Sequence, residues 1–108
     1  MYAALFEIKS WLGLETHVFE GNTAVDILRE LESIQNLDCL LEMGRIQEGE
    51  KGQRQLDKLE ALLEKYCSKE LTLSDLDGFE LSLSVGDFRC VAVAEDEDAV
   101  LQLKQQIK

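Results

Sequence analysis

The chain has 108 residues, with 22 Asp and Glu against 11 Lys and Arg, a formal net charge of −11, and 45% hydrophobic residues. That size and apolar content suit one domain with one modest core, and they exclude a disordered acidic tail. The charge repels phosphate backbones and anionic membranes and attracts basic surfaces.

The N-terminal stretch from Met1 to Glu7 has no basic region and its apolar run ends at Glu7. It therefore fails as a secretory signal, and no later run approaches the length of a membrane-spanning helix. Cys39, Cys67 and Cys90 are odd in number and widely spaced, a poor disulfide framework. They read as small core residues of a cytoplasmic protein.

Tyr2, Ala4, Phe6, Ile8 and Leu12 hold the even positions while Glu7 and Lys9 take the other parity, which predicts a strand. After Gly13, Leu14 to Glu20 reads as a return strand, giving an N-terminal hairpin. Gly21-Asn22-Thr23 turns the chain, and Thr23 with Asp26 forms a capping-box pattern with Asp in place of Glu. Ala24, Ile27, Leu28, Leu31 and Ile34 follow as one helical stripe.

The next segment supports two patterns. Leu37, Cys39, Leu41 and Met43 alternate as a strand, while Leu37, Leu40 and Leu41 fit a helix; the shortness of the run and Gly44 at its end favour strand. Glu48 to Gly52 is a polar, glycine-punctuated loop. From Gln53 to Cys67, Leu56, Leu59, Leu62, Leu63 and Tyr66 mark a second amphipathic helix.

Phe79, Leu81, Leu83 and Val85 alternate with Glu80, Ser82 and Ser84, and Gly86-Asp87 has the Gly-first order of a type II′ turn. With Val85 facing Phe88, the core face runs through Cys90, Ala92 and Ala94. Val91 and Val93 on the opposite face imply cover on both sides of that strand, by helices or by a second chain. Glu95 to Asp98 then open a last helix, with acids at the positive end of its dipole and Lys104 and Lys108 at the other. Together these elements predict a single α+β domain over residues 1–108. An antiparallel sheet, built from the N-terminal strand or hairpin plus the C-terminal hairpin, is packed with two or three amphipathic helices.

Three motifs approach known chemistry and fall short of it. Asp75-Leu76-Asp77-Gly78 lacks calcium-loop ligands, since Phe79, Glu80 and Gly86 occupy the fifth, sixth and twelfth positions. Gly44 to Lys51 places Glu50 where a phosphate loop needs Lys. His17 with the three cysteines has none of the close pairs of a zinc knuckle, so no metal or cofactor is expected. No residue set supplies both nucleophile and base, and the chain reads as non-enzymatic. Gly49-Glu50-Lys51-Gly52 ahead of a helix resembles the nucleotide-clamping loop of KH domains, and with 37–43 helical the element order would be similar to one KH topology. That resemblance implies nucleic-acid binding, which the acidic charge opposes.

Between Glu70 and Asp98 there are nine acids and one base, Arg89, so this segment carries −8 of the −11. The hairpin should bring Asp75 and Asp77 together with Glu95, Asp96, Glu97 and Asp98 at the end opposite Asp87. Those six carboxylates are the expected binding surface for a basic protein partner, the physics used by small inhibitors, immunity proteins and nucleic-acid mimics. The alternative is a homo-oligomeric assembly module, a homodimer joined through Val91 and Val93, with Trp11 as a further candidate interface residue.

Overall fold

Two hairpins make the sheet. In a computed structural model, which describes residues 1–10 and 13–106, strand β1 (Tyr2–Ser10) pairs antiparallel with β2 (Gly13–Gly21), and β3 (Glu80–Leu83) with β4 (Gly86–Ala94). β1 and β4 also pair antiparallel, so the strand order is β2-β1-β4-β3. The helices are α1 (Ala24–Ile34), α2 (Leu37–Glu48), α3 (Gln53–Ser68), the single turn α4 (Leu73–Leu76) and α5 (Glu97–Gln105). This is the α+β architecture read from the sequence, with more helix than expected. None of the described helices is long and apolar enough to cross a membrane.

The extra helix is α2, and it corrects the preference for a strand at 37–43. Asn36 caps it, its side chain accepting from the Cys39 amide at 3.0 Å. Leu37, Leu40, Leu41 and Gly44 form the buried face, at the spacing of a helix. Gly44 is a contact point within this helix: a β-carbon there would lie 2.7 Å from Leu56 Cδ2 and 3.2 Å from Leu83 Cδ1. The missing side chain lets α2 approach α3 and the sheet closely.

The C-terminal hairpin turns two residues earlier than expected. Leu83 pairs with Gly86, Ser82 with Asp87 and Leu81 with Phe88, leaving Ser84 and Val85 as the loop. A shift of two residues preserves parity, so Leu81, Leu83 and Phe88 still share the core face. Gly86 does not have the positive φ of a Gly-first II′ turn. Its lack of a side chain accommodates Leu40 Cδ1 and Gln35 Nε2, each of which would lie 2.6 Å from a β-carbon. Gly86→Ala is therefore expected to destabilise the fold by about 1–3 kcal/mol through overpacking, read as a lower denaturant midpoint at unchanged m. An unchanged midpoint would mean that Leu40 and Gln35 move aside freely.

A β-bulge divides β4 between two cores. Leu5 pairs with Ala92 but Phe6 pairs with Cys90, leaving Val91 unopposed. Before the bulge Phe88 and Cys90 face the main core with Ala4, Phe6, Ile8, Phe19 and the apolar faces of α1, α2 and α3. After it, parity reverses. Ala92 and Ala94 join Ala3, Leu5 and Val18 under Val100 and Leu103 of α5, on the other face of the sheet, and Val93 turns to the main core. The single core face drawn through Ala92 and Ala94 is thus corrected; the strand is covered on both sides only beyond the bulge, by the main core and α5, and Val91 itself stays exposed.

Candidate binding surface

The six expected carboxylates divide by what they already hold. Asp75 completes a capping box on α4: its backbone amide donates to Thr72 Oγ1, and its carboxylate accepts from the Thr72 amide at 2.9 Å. The same carboxylate meets Lys65 Nζ of α3 at 2.9 Å. The Lys65 hydrogen bond, joined by those from Thr72, holds its pKa below the ordinary Asp value. Asp96 is the N-cap of α5, accepting from the Ala99 amide at 2.8 Å. Glu97 and Asp98 occupy the first turn of α5, where the helix dipole favours them. Asp77, Glu95, Glu97 and Asp98 are all exposed.

The segment that follows β4 reaches the α4 turn at one point. Glu95 shares a hollow of about 390 Å³ with Thr72 and Ser74 of the α4 turn, and with Tyr2, Asn22 and Thr23. Asp77 is the C-cap of α4, two residues before Phe79, whose carbonyl accepts from the Cys90 amide of β4. Asp75 departs from the group by facing Lys65. Asp87 is not at a hairpin tip; it lies within β4 opposite Ser82 and Lys9. The turn α4, absent from the sequence reading, was signalled by Thr72-Leu73-Ser74-Asp75, the same spacing that identified the start of α1.

Bases elsewhere are drawn into ion pairs: Arg29 with Asp26, Arg45 with Glu60, Arg89 with Glu7, and Lys104 with Glu20. Such exposed pairs contribute little stability, and because each joins one base to one acid they leave the net charge unchanged. Val91 is 44% exposed at the bulge, Val93 is half-buried against the main core, and both lie on an interior strand. Trp11 lies outside the described residues. Of the cysteines only Cys90 is in the core; Cys39 and Cys67 are exposed, correcting the reading of all three as core residues.

Gly49–Gly52 forms a 3₁₀ turn between α2 and α3. Gly52 is buried against the Glu48 side chain; the Glu48 carboxylate accepts from the Ser84 amide, and hydrogen bonding to the Ser84 side chain, joined by that from its amide, holds its pKa down. A separate cleft of about 650 Å³ runs between Ile8, Lys9, Ile34 and the Leu83–Asp87 turn. Gln35, whose Oε1 is buried without a hydrogen-bond partner, lines it. No protein-family model, curated protein or solved structure matches this chain.

Proposed function

We propose that the protein is a non-enzymatic binding protein that presents an acidic surface to a basic protein partner. Asp77, Glu95, Glu97 and Asp98 form the contact surface, while Asp75 and Asp96 hold the α4 and α5 turns that carry it. The observation that carries this reading is the exposure of those four carboxylates, at the end of α4 and the start of α5, in a chain of net charge −11. Like charges gathered at one place oppose folding, and a cationic partner offsets that cost. Opposite charge also steers encounter and makes association fast and salt-sensitive. A cytoplasmic location, and an inhibitor, immunity-protein or nucleic-acid-mimic role, belong to the same proposal.

The test is capture of a partner from source-cell extract on the immobilised protein. A basic protein is expected to be retained at about 50 mM salt and released near 0.5 M. The variant D77N/E95Q/E97Q/D98N should lose it. Undiminished capture by that variant contradicts the reading, and retention of RNA in place of protein would favour the KH-like alternative.

A further inference from the structure

The two outer edges of the sheet are treated differently. Along β3, outward backbone groups are taken by helix side chains: the Ser82 amide donates to Gln55 Oε1 at 3.0 Å, the Ser84 amide to Glu48 Oε1, and the Glu80 carbonyl accepts from Lys58 Nζ. That edge is closed to further pairing. β2 forms the other edge, and it pairs with β1 over nine residues without a bulge. It contains neither Lys nor Pro, the residues that commonly protect an edge strand.

The direction of its backbone groups follows from the ladder. The Cys90 amide bonds the Phe79 carbonyl on the β3 side, so Asp87 and Arg89 turn their backbone groups toward Lys9 and Glu7 of β1. Phe6 and Ile8 then turn theirs toward His17 and Glu15 of β2. By the same alternation Leu14, Thr16, Val18 and Glu20 direct amide and carbonyl outward. On this strand Leu14 is 63% exposed, and Val18 is half-buried beside the α5 core.

We infer that the β2 edge pairs antiparallel with the β2 edge of a second copy, joining two four-stranded sheets into one about a two-fold axis through Thr16. The choice of occupant comes from self-complementarity. In that register Leu14 of each copy lies opposite Val18 of the other on the α5 face, and Thr16 opposite Thr16. On the main-core face Glu15 of each copy lies opposite His17 of the other. Apolar groups meet apolar groups, and Glu15 and His17, which lie 3.3 Å apart within one copy, would join their counterparts in a cluster of two carboxylates and two imidazoles across the axis. A slip of one residue would place outward groups against side-chain-bearing positions that have none to offer. The surface is separate from the four carboxylates proposed for partner binding.

Sedimentation velocity across protein concentration tests the pairing. The wild type is expected to shift from monomer to dimer with rising concentration. Thr16→Pro removes an outward amide that β1 does not use, so it should leave far-UV circular dichroism intact and abolish the dimer. Leu14→Lys, an exposed substitution independent of backbone geometry, should also abolish it and decides the matter if the proline variant fails to fold. His17→Glu should raise the dimer dissociation constant roughly tenfold by setting like charges opposite one another at two symmetric places, and adding Glu15→Lys should restore it. A wild type that stays monomeric at every concentration overturns the inference. So does a dimer that survives Leu14→Lys, or a His17→Glu defect that Glu15→Lys leaves unrepaired.

Discussion

Phe6→Ala is expected to destabilise the fold by about 3–5 kcal/mol, a large fraction of the stability of an ordinary small domain. Phe6 is 1% exposed and sits on β1, flanked by β2 and β4. Its ring lies 5.7 Å from that of Phe19 on β2 and 6.3 Å from that of Phe88 on β4, both tilted. Phe79 stacks on Phe88 at 5.8 Å, so one aromatic row crosses every strand or its immediate flank. Truncation removes the middle of that row and opens a cavity between the sheet and the helices above it, which the paired strands cannot close by collapse. The measurement is denaturant unfolding of the two proteins side by side. Phe6→Leu, which retains most of the volume, should lose distinctly less; an equal loss would point to the aromatic contacts over the cavity.

Alkaline pH should unfold the protein partly through one thiol. Burial of Cys90, with the nearby Asp77 charge adding to it, pushes its pKa from an ordinary value of 9.0 up to about 12. Between those values the unfolded chain surrenders the proton and the folded chain keeps it, so ionisation favours unfolding. Stability from this group is therefore whole below pH 9 and declines as pH rises toward 12, by roughly 4 kcal/mol in total. Cys90→Ala removes the group and should flatten that decline relative to wild type, whatever its effect on stability at neutral pH. Parallel pH profiles for the two proteins would show that Cys90 ionises as readily in the fold as outside it. The exposed Cys39 and Cys67 should meanwhile react with a thiol reagent in the native state while Cys90 is protected.

Elements with an uninterrupted period were legible in the sequence. The stripe from Ala24 to Ile34 and the leucines of 56–63 gave α1 and α3, and the alternation from Phe79 to Leu83 gave β3. Glycine misled twice because its usual role as punctuation was displaced by packing. Gly44 looked like a strand end and is a helix contact, while Gly86 looked like a turn and is a space for Leu40. The bulge at Val91 was beyond a period-two reading, since one unopposed residue reverses every side chain after it. Its trace was present in Ala3 and Leu5, apolar on the parity that Glu7 and Lys9 made look solvent-facing. Chain order alone placed the acidic segments near the hairpin end. It did not reveal that Asp75 faces Lys65 or that Asp96 caps α5, because those roles depend on α3 and on the backbone geometry at a helix start.

The most direct test of the acidic-surface proposal separates location from total charge. Two variants with the same net charge are compared for their association rate with the captured partner. D77N/E95Q/E97Q/D98N removes the proposed surface, and E30Q/E42Q/E50Q/E64Q removes four exposed acids elsewhere. The first should associate at least roughly tenfold more slowly than wild type, with a shallower dependence on salt, and the second should stay close to wild type. Equal slowing of both variants would contradict the proposal, since the net charge alone would then govern binding.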